Sequence, residues 1–309
     1  MRLIRLFPLL ILLSACQPQP PVSHEEEIAG IVHTLWIYDT DSKQAKRAVD
    51  AVFSELRLLS GYTEPRQSKP MARTNTMLRS REWFSVNPSM TGILKQSIDY
   101  YDKTGGTYNP AALGGLRQQW GFYSDTEASV PPKEKDVQAF LADLPTMKDI
   151  EFDGIRVRGR NPRIYLDFDY LGYGYAIDLQ IAHLQQLGIH NARLRINQVE
   201  RSIGRVPGIA YKSGQAHCHR SIATKPGSGQ AAAIHDVIST RTGHPTEDAA
   251  SIDVTANNAS DASVACWALL VSEAESHRRL ADQLGIIRAT LVDANGNRIE
   301  LNLHQTEPI

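Results

Sequence analysis

Several short stretches of this chain carry side chains able to do chemistry. His235, Asp236 and His244 could form an acid–base cluster; taken alone they are ordinary loop residues. His217 and His219 flank Cys218 and could ligate a metal. A metal site normally draws further ligands from a distant segment, and none is identifiable, so a surface turn or strand also accounts for them. Asp167 and Asp169 alternate along an extended stretch, which turns both carboxylates to one face. They could hold a cation or line a solvated edge. Tyr170, Tyr173 and Tyr175 could stack on a planar heterocycle, or pack at the start of a helix. Gly227-Ser228-Gly229 is too short for a phosphate loop and lacks a following Lys.

These residues need elements to position them. Apolar and β-favouring side chains predict a strand over 28–38. Ala45, Val49, Val52, Phe53, Leu56 and Leu59 recur at helical spacing and predict a helix over 43–59. Residues 61–80 read as a polar loop. A helix over 88–103 has Asn87 as its cap and stops at Thr104-Gly105-Gly106. Residues 127–143 read as a polar connection with a short helix. A hairpin is expected over 156–168, turning near 159–162, then a helix over 174–187 and a strand over 191–197. Ser260 could cap a helix over 261–274. A terminal hairpin joins 286–292 to 298–303 around Asn295-Gly296. Strands and helices mix without strict alternation, so the class is α+β.

The chain opens on an address. Met1-Arg2-Leu3-Ile4-Arg5 is basic, residues 6–13 are apolar, and Leu13-Ser14-Ala15-Cys16 follows. The apolar run is too short to span a bilayer, which needs about 20 residues. It fits a secretory leader (1–15) ending in a bacterial lipobox, with Cys16 acylated. Residues 16–27 read as a Pro/Gln-rich tether and 28–309 as the folded domain. Gln17, in place of Asp, favours the outer over the inner membrane and a periplasm-facing protein. Cys218 and Cys266 could pair in an oxidising compartment or remain two buried thiols. With 33 basic and 34 acidic residues the net charge is −1, which argues against a nucleic-acid partner.

Three stretches in order resemble the ApbE family of FAD:protein FMN transferases. The first is Thr104-Gly105-Gly106-Thr107-Tyr108-Asn109-Pro110 with Trp120-Gly121-Phe122. The second is Leu166-Asp167-Phe168 through Gly174-Tyr175-Ala176-Ile177-Asp178. The third is Ser221-Ile222-Ala223-Thr224, then 238–245 containing Arg241-Thr242-Gly243, then Asp261-Ala262 opening a helix. Thr34 and Trp36 fall where that family has a Gly-Thr-Thr-aromatic strand. The resemblance implies an ApbE-like, T-fold-related architecture of two lobes with a cofactor cleft between them. It implies a Mg²⁺-dependent enzyme that moves FMN from FAD onto a Thr or Ser of an exported redox protein and releases AMP. In that reading Asp261 and the Gly172 carbonyl hold the metal. Thr34, Tyr108, Asn109, Tyr175, Thr224 and Arg241 bind the cofactor, and His235 and Asp236 activate the acceptor.

The departures from the family pattern fall on the chemistry. Asp169 and Tyr170 stand at two glycine positions, Tyr173 at a lysine and Gly172 at the alanine whose carbonyl faces the metal. Asp236 stands at the family histidine, Ser239-Thr240 at Asp-Pro, and Ala265 at a metal-binding threonine. Arg195 to Gln198 lacks the glycines of the family turn, and only Arg73-Thr74-Asn75 answers to the flavin segment. An aspartate beside a pyrophosphate would repel it. The alternative expectation is therefore a catalytically degenerate member that binds flavin or a partner protein without turnover.

Overall fold

The structure, a computed structural model, describes residues 20–63, 69–124, 131–222, 234–247 and 249–302. The single strand expected over 28–38 is a hairpin. Strand β1 (Val22–Ile28) pairs antiparallel with β2 (Ile31–Ile37) around Ala29 and Gly30, both at positive φ. β1 thus begins within the stretch read as tether. Helix α1 (Ser42–Thr63) buries the apolar stripe that predicted it. Residues 69–80, read as loop, form helix α2 (Lys69–Ser80). Its polar composition belongs to the exposed face, while Met71, Thr74, Asn75 and Leu78 are buried. Asn75 takes the place of an apolar residue because its amide exchanges two hydrogen bonds with the Leu166 backbone, at 2.7 and 3.2 Å.

After β3 (Phe84–Ser85), helix α3 (Pro88–Lys103) starts as expected, with the Asn87 side chain accepting from the Ser89 N–H. Helix α4 (Pro110–Gln119), which the sequence did not signal, follows with Pro110 in its first turn, then α5 (Glu134–Leu141). The hairpin of this region lies earlier than expected. β4 (Ile150–Asp153) and β5 (Arg156–Gly159) pair across Gly154, and with β3 they make a small sheet in the order β3-β5-β4.

Helix α6 (Tyr170–Gln186) begins at Tyr170, not Gly174. β6 (Ala192–Ile196), β7 (Val199–Ile203), β8 (Ala216–Ser221) and β9 (Ala249–Ala256) follow. Then come α7 (Ala259–Leu270), α8 (Ala274–Gln283), β10 (Ile286–Asp293) and β11 (Arg298–Asn302). Asn258, not Ser260, caps α7, accepting from the Asp261 N–H at 2.7 Å. The main sheet is antiparallel in the order β1-β2-β6-β7-β8-β9-β10-β11. This is the α+β class the sequence implied. Among the described residues no helix is long and apolar enough to cross a membrane.

Two close contacts fix α6 and α7 for the site. Gly174 brings the helices together: a Cβ there would lie 2.5 Å from both the Ala259 carbonyl oxygen and Ser263 Oγ. Cys218 on β8 and Cys266 on α7 form a disulfide, with Cα atoms 6.5 Å apart. It closes a 48-residue separation, for which chain entropy gives about 4 kcal/mol of stabilisation. Reduction is expected to lower unfolding stability by about that amount; denaturant curves with and without dithiothreitol measure it.

Candidate active site

The three motif stretches, remote in sequence, are stitched together by hydrogen bonds. Tyr108 donates its hydroxyl to the Phe168 carbonyl at 2.8 Å. The Asp167 N–H donates to Pro110 O at 3.0 Å. Trp120 Nε1 donates to Gly243 O at 2.8 Å, and Arg241 donates to Gly105 O at 3.0 Å. Thr240 Oγ1 donates to Thr107 O at 3.3 Å. Tyr108 is fully buried, so its role here is to tie α4's entry to the segment before α6. Asn109 is likewise buried; its amide donates to Pro145 O at 2.9 Å while Oδ1 has no partner among the described residues.

Where the stretches meet lies an ionic cluster. Arg117, on the buried side of α4, donates to Asp167 at 2.6 Å, to Asp169, and to Asp236 at 3.1 Å. Its Nε also donates to the Asp236 backbone carbonyl at 3.0 Å. Arg220, at the end of β8, pairs with Asp169 and approaches Asp236 at 3.7 Å. Both guanidinium groups lie 5.2 Å from the Trp267 ring centroid of α7, and Arg220 also sits over Tyr170. Asp167 and Asp169 are therefore neither a cation site nor a solvated edge. Burial opposes the charge on Asp169, but Arg220 and then Arg117 overcome it and hold its carboxyl down to about 2. Asp169 also caps α6 with φ 50° and ψ −139°, a backbone region that favours glycine. Asp236 is the exposed member, its side chain 43% accessible.

Asp261 stands in the first turn of α7. Its Oδ1 accepts from the Tyr100 hydroxyl at 2.7 Å and its Oδ2 from the Asn258 amide at 2.5 Å. Burial, then the neighbouring Asp261 charge, pushes the Tyr100 phenol far up, so it stays a donor at all working pH values. Asp178 holds the same helix end by accepting from the Ala259 and Ser260 N–H groups at 3.0 and 2.9 Å. Tyr100→Phe is expected to cost about 1.5–3 kcal/mol, the worth of a hydrogen bond to a charged group, measured by chemical denaturation.

The other candidates are placed as follows. His235 uses both ring nitrogens on backbone, Nε2 toward Thr246 O at 2.6 Å and Nδ1 toward the Val237 N–H at 3.3 Å. Burial lowers its pKa. It is thus a loop brace, and Asp236 is the reachable group of the pair. Thr34 faces the side of β2 opposite Leu35 and donates to Glu25 at 3.1 Å. Its neighbour His33, which the sequence did not single out, lines a small cavity with Gly172 and Tyr173. Tyr175 reaches Ser89 O at 3.3 Å across Gly92, which leaves room for its ring. Tyr170 and Tyr173 pack against each other with centroids 5.5 Å apart. His244 pairs with Glu134 at 3.1 Å, separate from His235. His217 and His219 both turn to Asp253, at 3.3 and 3.0 Å. Among the described residues no group of three His, Cys, Asp or Glu is arranged to hold a metal. Thr224, Cys16 and Gly227-Ser228-Gly229 lie outside the described residues.

A model of the ApbE family matches residues 30–291. The chain belongs to the ApbE family. An FAD:protein FMN transferase of Rhodobacter capsulatus is 26% identical over 293 residues, covering 89% of this chain and 55% of that protein. One of Vibrio cholerae is 24% identical over 193 residues, covering 60% and 56%. The chain thus spans about half the length of the curated relatives it matches. The apo flavinyl transferase ApbE of Pseudomonas stutzeri superposes with a TM-score of 0.78 at 18% identity, covering 93% of this chain and 95% of that one. The architecture is therefore that of ApbE proteins. Asp169, which the resemblance sets at a glycine position, is not a bare charge here, because Arg117 and Arg220 pair with it. The sequence reading missed both arginines and Tyr100. Arg117 carried a signal: it stands four residues after Leu113, on the same helical face as that apolar residue.

Proposed function

We infer that this chain is an FAD:protein FMN transferase. The observation that carries the reading is the joining of the three family stretches around Arg117, with Asp261 offered at the start of α7, whose Trp267 floors the same cluster. In the reaction, an acceptor Thr or Ser hydroxyl oxygen attacks the FMN phosphorus of FAD. The new P–O bond forms as the pyrophosphate P–O bond breaks, and AMP departs with its electron pair. Phosphoryl transfer asks the protein mainly to position groups and balance charge. Asp236, exposed and steadied by Arg117 and Arg220, takes the hydroxyl proton. The arginines leave the site less repulsive to a pyrophosphate than the bare sequence suggests. Asn109, Tyr175 and Arg241 are the cofactor-side candidates.

The residues present suit a hard cation with few protein ligands. Mg²⁺ is commonly held by one or two carboxylates with substrate phosphates and water. Asp261 accepts one hydrogen bond on each oxygen, which leaves lone pairs free. The resemblance gives the Gly172 carbonyl as a second oxygen donor, while Ala265 offers none. The ion would neutralise charge on the pyrophosphate. The lipobox at Cys16 supports an exported, acylated protein facing the periplasm, and the Cys218–Cys266 disulfide suits an oxidising compartment.

The test is to incubate the chain from Gln17 onward with FAD, Mg²⁺ and an exported redox protein carrying the family's target Thr motif. AMP release matched by protein-bound FMN supports the reading. Bound FAD with no AMP overturns it in favour of a flavin-holding protein without turnover.

A further inference from the structure

Pro20 and Pro21 form one wall of an open, largely apolar cavity of about 760 Å³. Tyr38 after β2 and the 204–213 connection from β7 to β8 form the others. We propose that this face, with the 204–213 connection at its centre, is the surface on which the protein lies against a phospholipid bilayer. The proposal rests on the acylation of Cys16 inferred above.

The length of the lead-in carries the argument. Only Gln17, Pro18 and Gln19 separate Cys16 from Pro20. Four fully extended steps reach about 14 Å, while the headgroup layer on one side of a bilayer is roughly 5–8 Å deep. Acyl chains on Cys16 therefore hold Pro20 within about one side-chain layer of the lipid surface. Whatever shares a cavity with Pro20 lies close to that surface too, and the 204–213 connection lines that cavity.

Its composition fits that neighbour. Val206, Pro207 and Ile209 are apolar and at least partly exposed at its tip. Arg205 and Lys212 flank them, a pattern suited to anionic headgroups above an apolar boundary. The Arg205 side chain is 89% exposed; its one ion-pair partner among the described residues is Asp39 at 3.9 Å. The connection is braced at its base and free at its tip. Arg205 N–H donates to Asn191 Oδ1 at 2.7 Å, and Gly214 N–H donates to Ser202 O at 3.0 Å. Tyr211 stacks on His217 with centroids 6.0 Å apart. A braced loop presents Val206 to Ile209 outward without an ordering cost on contact.

The test uses the full chain with its leader, purified from membranes and reconstituted into phosphatidylethanolamine/phosphatidylglycerol vesicles. Pro207→Cys and, as a remote control, Ile155→Cys are each labelled with the environment-sensitive dye NBD. The native pair Cys218–Cys266 is closed to the label. The expected result is a blue shift and about a twofold or greater rise in emission at position 207, with quenching by headgroup-proximal doxyl lipids, and neither change at 155. Equal, water-like emission at both positions on protein whose Cys16 is acylated overturns the proposal while leaving acylation intact. An unmodified N-terminal mass overturns acylation itself, and the docking proposal with it, by a separate readout.

Discussion

Arg220→Leu is expected to destabilise the fold by about 3–5 kcal/mol. The arginine is 4% exposed and its principal partner, Asp169, is buried between it and Arg117. Leucine leaves Asp169 with one buried cation in place of two, and removes the guanidinium that lies over Tyr170 and Trp267. Breaking a buried pair from one side costs far more than exchanging both members, because the survivor keeps its desolvation penalty. The double variant Arg220→Leu/Asp169→Gly is therefore expected to recover most of the loss. Glycine also relieves the positive φ at this position. Acid titration gives a second readout. The Asp169 carboxyl is held down to about 2 in the folded chain against an ordinary 3.8. Its contribution is thus present above about pH 4 and is lost as pH falls through about 2. In Arg220→Leu the carboxyl rises and this loss moves to higher pH. Denaturant midpoints across pH 2–7 measure both effects; an unchanged midpoint in the single variant would mean that the cluster contributes nothing.

On the proposed transferase function, Asp261→Ala is expected to lower FMN transfer by at least about 100-fold, the scale seen when one charge-balancing group is removed from a site of this kind. The loss should appear in turnover and, separately, in stability. The carboxylate's interaction with the α7 N-terminus accounts for about 0.3–1 kcal/mol and the hydrogen bond it accepts from Tyr100 for about 1.5–3 kcal/mol, while Asp178 goes on capping the same helix end. The variant also frees the Tyr100 hydroxyl and the Asn258 amide, so Asp261→Asn is the cleaner companion, keeping an acceptor oxygen for one of them. Parallel measurement of AMP release, protein-bound FMN and the denaturation midpoint separates the two. A variant that turns over FAD as fast as the parent would remove Asp261 from the reaction.

The sequence was most legible where local chemistry acts alone. Asn87 followed by Pro88 marks the start of α3 unambiguously, and Asn295-Gly296 marks the last turn. It was least legible where a polar residue's partner lies far along the chain. Asn75 looks like a loop residue until Leu166 supplies both its hydrogen bonds from 91 positions away. Asp169 looks like a disabling charge until Arg117 and Arg220 arrive from two other elements. His235 shows the reverse error. Its type suggested a proton acceptor, but the backbone of its own loop occupies both nitrogens. Family motifs identified the segments that meet; they did not identify the substituted side chains that hold the meeting point together.

The ionic cluster also constrains the history this protein can have. An aspartate at position 169 without the arginines buries a lone carboxylate, and Arg220 without that aspartate is a buried cation short of charge. The favourable state requires residues from three separate elements at once. Glycine at 169 alone takes from Arg220 its closest carboxylate, leaving it Asp236 at 3.7 Å, while Arg117 keeps Asp167 and Asp236. Position 169 is thus coupled to position 220 in this chain, and a glycine placed there is best accommodated together with an uncharged residue at 220.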